Sequence, residues 1–81
     1  MRIPVHMPKL GYDMTEGRIE SWLVTVGGEV RRGEPLAEIE TDKIVIEMES
    51  LATGTLVEIV QPASEDMIPV GEVIGYLDDG S

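Results

Sequence analysis

The chain has 81 residues, enough for one small domain with a thin core, because folding at this size buries only about 60% of the surface that the unfolded chain exposes. It has no Cys and a single His, which excludes a disulfide scaffold, a thiolate nucleophile, a Cys-based zinc site and a Ser-His-Asp arrangement. The 16 acidic residues outweigh 6 basic ones for a net charge of -10, so the basic footprint of a nucleic-acid binder is missing and basic protein surfaces are the favoured partners.

Hydrophobic content of 42% is ordinary for a folded domain, so the acidity does not imply disorder. No stretch approaches the ~20 apolar residues of a membrane span. No basic n-region followed by an apolar run opens the chain, so no secretory leader is expected, and the start at Met1 before a strand-like run suggests a natural N-terminus, although the cut end of a longer chain would look the same. So small a core leaves no room for a deep cleft, and an autonomous enzyme is not expected.

In chain order, IPVHM (3–7) is the first strand signal, with His6 as an ordinary strand residue. A loop follows over Pro8–Thr15 and contains Gly11. The stretch 14–26, MTEGRIESWLVTV, is the one competing helix, but Gly17 and the β-branched Ile19, Val24, Thr25 and Val26 argue against it. RIESWLV (18–24) is instead a second strand, with Trp22 in the core. Gly27-Gly28 marks a turn, and Arg31-Arg32 form a solvated basic pair beside the next turn at Gly33-Glu34-Pro35. PLAEIE (35–40) and KIVIEME (43–49) are strands around Thr41-Asp42-Lys43. In the second of them Ile44, Ile46 and Met48 share one face, while Val45, Glu47 and Glu49 form an acidic outer face. GTLVEIV (54–60) and VIGYLD (73–78) follow, with turn signals at Gly54, Pro62 and Gly71 between and before them. Glycine and proline punctuate nearly every interval, so an all-β fold is expected. Asp-Asp-Gly-Ser at the end is polar and short, which gives a domain over 1–78 and the start of a linker at 79–81.

The chain repeats itself weakly. VRRGEPLAEI (30–39) resembles IPVGEVIGYL (68–77) at an offset of 38, and Gly17-Arg18-Ile19 resembles Gly54-Thr55-Leu56 at 37. Two copies of one β-motif would form a sandwich or flattened barrel with a pseudo-two-fold axis; the alternative is chance agreement in a Gly/Val-rich sequence. On the first reading, residues 40–44 are the hairpin where one copy hands over to the other. Too few residues separate the flanking strands for anything but a tight turn, and Asp42 suits it because an aspartate there can bond its own backbone. Lys43 then projects from a stiff protrusion. It is one of two lysines, with Glu40, Asp42, Glu47 and Glu49 around it in sequence. Such a lysine suits a modifying enzyme that reads a hairpin tip better than it suits base catalysis. An unmodified exposed turn lysine is the plainer alternative.

ETDKIVIEM (40–48) resembles the attachment site of lipoyl domains, the N-terminal modules of 2-oxo acid dehydrogenase acyltransferase subunits. MPKLGYDMTEG (7–17) resembles the opening of the same modules, and Gly33 and Gly54 sit where that family has glycines. The resemblance implies a flattened barrel of two four-stranded antiparallel sheets, with lipoate amide-linked to Lys43. It further implies a lipoate ligase or lipoyl transferase as modifying partner. A thiamine-diphosphate-dependent decarboxylase, an acyltransferase catalytic domain and dihydrolipoyl dehydrogenase are then the partners of the loaded arm. On that footing the domain is a non-catalytic carrier, monomeric when isolated. It would be cytoplasmic in a bacterium or archaeon, or in the mitochondrial matrix after removal of a transit peptide. Asp42 and Ile44 would present the lysine, and Glu40 and Glu47 would be read by the lipoylating enzyme; a solvated strand residue is the alternative for Glu40. Leu10, Tyr12, Asp13 and Met14, in a loop longer than its counterpart before Gly54, would serve decarboxylase recognition. For Tyr12 the alternative is packing on the barrel.

Three rivals remain. Biotin carriers share the fold but flank their lysine with methionines, where this chain has Asp42 and Ile44. The glycine-cleavage carrier is longer and does not share the MPKLGYDMTEG opening. An unmodified acidic interaction module would leave Lys43 bare. Within the lipoyl family, the opening is closer to pyruvate, acetoin or branched-chain complexes than to the 2-oxoglutarate complex.

Overall fold

The computed structural model describes residues 1–42 and 44–80. Eight strands run in chain order: β1 Arg2–His6, β2 Glu16–Trp22, β3 Glu29–Val30, β4 Pro35–Glu40, β5 Val45–Glu49, β6 Gly54–Ile59, β7 Ile68–Pro69 and β8 Val73–Asp78. They form two antiparallel four-stranded sheets, in the orders β1-β8-β6-β3 and β5-β4-β2-β7. The all-β reading holds, and residues 16–22 of the competing helix are strand β2. Gly17 there is buried, and a Cβ on it would meet the Met14 methyl at 2.6 Å and the Ile39 Cγ2 at 3.1 Å, so a side chain at that point would have to push the methionine aside. Two strands, β3 and β7, carry no alternation signal because each is two residues long.

The repeat is real. The offset of 38 carries β4 onto β8 and Val30 of β3 onto Ile68 of β7, and 37 carries β2 onto β6. The register irregularity between Ile19 and Ser21, where β2 meets β4, recurs at the same offset between Leu56 and Glu58, where β6 meets β8. Turn bonds repeat as well. Gly33 N–H donates to Ser50 O and Ser50 N–H to Glu34 O, both at 2.8 Å; Gly71 N–H donates to Met7 O at 2.9 Å and Met7 N–H to Glu72 O at 2.8 Å. Strand β1 maps onto β5 at the larger offset of 43, because residues 7–15 after β1 are matched only by 50–53 after β5.

The core fills from both copies. Ile19 and Leu56, Leu36 and Ile74, and Ile39 and Leu77 are equivalent pairs, all nearly inaccessible to solvent, with Met7, Val30, Met48 and Ile68 packed around them. Burying each such side chain contributes on the order of 1.5–3 kcal/mol, which is what a domain this small has to set against chain entropy. Trp22 departs from its expected place. It lies half-buried at the core margin, because its indole N–H needs an acceptor and finds Gln61 O at 3.0 Å. Arg31 and Arg32 are exposed, as expected, and His6 lies on β1 with Nδ1 2.9 Å from Gly71 O.

Gly33 and Gly54 are glycines for different reasons. Gly33 turns the chain with φ +92° and has open space where a Cβ would go. Gly54 has no such φ, but a Cβ on it would stand 2.5 Å from Asp78 O, so β6 could not approach β8. Gly33→Ala is therefore expected to cost about 1 kcal/mol through its backbone conformation alone. Gly54→Ala should cost more, about 2–3 kcal/mol, because backbone must move. Urea unfolding of both variants checks this, and a Gly54→Ala cost no larger than that of Gly33→Ala would contradict it.

Candidate functional site

Strand β4 ends at Glu40 and β5 begins at Val45. The turn between them is closed by Thr41, whose N–H donates to Ile44 O at 2.8 Å. Its hydroxyl donates to the same carbonyl at 3.2 Å and accepts the Ile44 N–H at 3.3 Å. A threonine hydroxyl that bonds backbone across a turn stiffens it without help from the core. The sequence pointed to Asp42 for this role; among the described residues the closing bonds are made by Thr41, and Asp42 is exposed. Ile44 is 56% exposed, so it faces solvent and not the core. Lys43, the residue singled out for modification, lies outside the described residues.

The base of the turn is pinned by charge. Arg18 on β2 stands opposite Glu40 on β4. Its Nε donates to Glu40 Oε1 at 2.9 Å and its Nη2 to Oε2 at 2.6 Å, a two-pronged pair. The same Nη2 lies 2.8 Å from Glu20 Oε2. Hydrogen bonds from Arg18 hold the Glu40 carboxyl below the usual carboxylate range. Glu40 is thus an engaged carboxylate rather than a freely solvated one. Glu47 is exposed on the outer face of β5, opposite Glu38, which Ser21 Oγ engages at 2.7 Å.

The loop after β1 lies against this turn. Leu10, Gly11 and Asp13 line one shallow groove together with Thr41, Asp42 and Ile44. Met14 N–H donates to Gly11 O at 3.2 Å, and Leu10 N–H points at the Met14 sulfur at 3.3 Å. Met14 itself is only 9% exposed and belongs to the core, which corrects its expected role as a recognition residue. It anchors the loop from beneath, since an unbranched thioether fills the gap over Gly17. Tyr12 is 98% exposed, so it does not pack on the barrel. Asp13 is exposed and Leu10 half-buried. Sequence reasoning missed Arg18 and Thr41; the threonine was legible as a turn residue, but nothing local linked Arg18 to Glu40. Among the described residues, no group of three or more His, Cys, Asp or Glu could hold a metal ion, and no helix is long and apolar enough to cross a membrane.

A family model described as "Biotin-requiring enzyme" matches residues 3–77. The dihydrolipoyllysine-residue acetyltransferase component of the pyruvate dehydrogenase complex from Zymomonas mobilis is 44% identical over 77 residues, covering 95% of this chain and 18% of that protein. Its counterpart from Rickettsia conorii is 42% identical over 79 residues, covering 98% of this chain and 19% of the other. This chain thus spans less than a fifth of the length of these curated relatives. A mitochondrial relative from Arabidopsis thaliana is 47% identical over 70 residues, 86% of this chain and 13% of that protein. The solution structure of the lipoyl domain of the 2-oxoglutarate dehydrogenase complex from Azotobacter vinelandii matches with a TM-score of 0.74 and 33% identity, over 98% of this chain and 99% of that one. On fold, sequence and the hairpin that both halves build toward, the chain belongs to the biotin/lipoyl-attachment family and, within it, to the lipoyl domains.

Proposed function

We propose that Lys43 carries lipoate in amide linkage and that the domain serves as the mobile acyl carrier of a 2-oxo acid dehydrogenase complex of the pyruvate type. The observation that carries this reading is the stiff, solvent-facing turn that brackets Lys43 in sequence, closed by Thr41 and pinned through Glu40. Lipoate, once attached, supplies a dithiolane that takes up an acyl group as it is reduced and hands it to coenzyme A. The rest falls to the chain. Asp42 and Ile44, its neighbours in sequence, are both exposed, so neither has to leave the core for a group to be attached between them. The barrel itself performs no chemistry. It holds the arm at high effective concentration near successive active sites, which is a kinetic gain without any new contact.

The partners on this reading are a lipoate ligase or lipoyl transferase, a thiamine-diphosphate-dependent decarboxylase, an acyltransferase catalytic domain and dihydrolipoyl dehydrogenase. The sequence relatives are components of pyruvate dehydrogenase complexes, which supports this set. Residues 79–81 are read, on their short polar composition, as the opening of a linker after a carrier domain over 1–78. Bacterial and plant mitochondrial relatives support a bacterial cytoplasm or a mitochondrial matrix as the compartment. The net charge of -10 keeps many tethered copies apart and steers them to basic surfaces. A biotin carrier is the second reading, favoured only by the breadth of the family model; Asp42 and Ile44 beside the lysine speak for lipoate.

Expression with a lipoate ligase and lipoate, followed by intact-mass measurement, is expected to show a gain of one lipoyl group that Lys43→Ala abolishes. A biotin-sized gain would transfer the domain to the carboxylases, and no gain at all would favour an unmodified acidic module. Tyr12 and Asp13, exposed on the loop beside the turn, are proposed to contact the decarboxylase, together with the half-buried Leu10. Replacing both Tyr12 and Asp13 with Ala should slow reductive acylation by a pyruvate-type decarboxylase roughly tenfold, about 1.4 kcal/mol. Lipoylation and thermal unfolding should stay as in the parent chain, and unchanged acylation in the double variant would remove the loop from recognition.

A further inference from the structure

We propose that Arg18 is a positioning residue for lipoylation of Lys43: by clamping Glu40 it fixes the strand end from which the turn springs. The lipoylating enzyme then reads the turn so held, not the Glu40 carboxylate. This rests on the carrier reading above and adds a residue that the reading did not contain.

Three observations support it. The first is geometry. Both Glu40 oxygens are engaged by one guanidinium, at 2.9 and 2.6 Å, and the next residue is Thr41, which makes every described bond that closes the turn. A carboxylate with both oxygens engaged is a poor free handle for another protein, but a good fixed point for the backbone after it.

The second is an internal control. The pseudo-two-fold carries the Arg18–Glu40 register pair onto Thr55–Asp78, which are also directly opposite one another. The strands and the irregularity beside the pair are the same, yet Thr55 cannot form an ion pair. Asp78 instead accepts from the Met1 amino group at 3.3 Å and from Gly80 N–H at 2.8 Å. The strand pairing therefore does not need the clamp. It occurs in the half that bears the modification turn.

The third is composition. The chain has 6 basic residues among 16 acidic ones, and Arg18 is committed to Glu40 and Glu20 at the foot of this turn. The pair is partly buried at the surface, where an ion pair contributes modestly to stability, and the equivalent Thr55–Asp78 register holds without one, so a role in local order explains the arrangement better than a role in holding the barrel together.

The test uses the purified apo chain as substrate for a lipoate ligase with ATP and lipoate, and follows mass gain over time. Arg18→Ala and Glu40→Gln are each expected to lower kcat/KM for lipoylation roughly fivefold, the most that a surface ion pair supplies. The double exchange Arg18→Glu with Glu40→Arg should restore most of the loss. Amide hydrogen exchange should quicken at Thr41 and Ile44 in the single variants and stay unchanged in β6 and β8. Arg18→Lys, which keeps the charge but loses the two-pronged grip, should fall between and covers the case that Arg18→Ala folds poorly. Parent-rate lipoylation of Arg18→Ala would overturn the proposal. So would a double exchange as slow as Glu40→Gln, since the enzyme would then be reading the carboxylate. If the parent chain gains no lipoyl group, or Lys43→Ala still gains one, the carrier reading itself fails and takes the clamp with it.

Discussion

Strand β4 is hydrogen-bonded on both sides, to β2 and to β5, and the candidate site depends on that double pairing. Pairing with β5 creates the hairpin. Pairing with β2 brings Arg18 opposite Glu40 and so reaches across to the hairpin's foot. A one-residue slip in either register would move Ile39 out of the core and Glu40 into it, at the cost of a buried, unpaired charge. The fold and the presentation of the turn are therefore specified by the same alternation of Leu36, Glu38, Ile39 and Glu40, with the irregularity near Ala37 letting two neighbouring residues face inward.

Duplication explains how so small a chain builds a closed core. Each half supplies equivalent core residues, turn glycines and loop bonds, so neither sheet has to bury its apolar face alone. The halves differ where function has been added. Residues 7–15 lengthen the first connection and lie against the hairpin, while the shorter 50–53 in the second half bond to the turn at Gly33 and Glu34. The Arg18–Glu40 clamp is likewise confined to one half. Departures from internal symmetry thus gather around a single turn, which is the pattern expected when one copy has acquired a task and the other remains scaffold.

Much of this was legible in the sequence. Runs rich in β-branched and large apolar residues, several of them alternating with period two, marked six strands, and the repeat at 37 and 38 residues marked the symmetry. The two-residue strands β3 and β7 escaped because two residues show no period. The equivalence of β1 and β5 escaped because the longer loop moves their offset to 43. Inside that loop, Tyr12 and Met14 are both large and sit two residues apart, and no local rule says which one turns inward. The structure answers with Gly17, whose missing side chain makes room for the methionine. Trp22 was expected in the core on size, but its polar edge draws it to the margin. Arg18 and Glu40 are 22 residues apart in sequence, so their contact is visible only once the register is known.

The chain contains two lysines, Lys9 in the loop after β1 and Lys43. Cleavage after arginine separates them, since Arg18, Arg31 and Arg32 all lie between. Peptide mass spectrometry of the chain after treatment with lipoate ligase, lipoate and ATP therefore tests the central claim directly. The account predicts the whole lipoyl increment on the peptide that contains Lys43 and none on the one that contains Lys9. An increment on Lys9, or an even division between the two, would mean that the enzyme reads an accessible amine and not the turn.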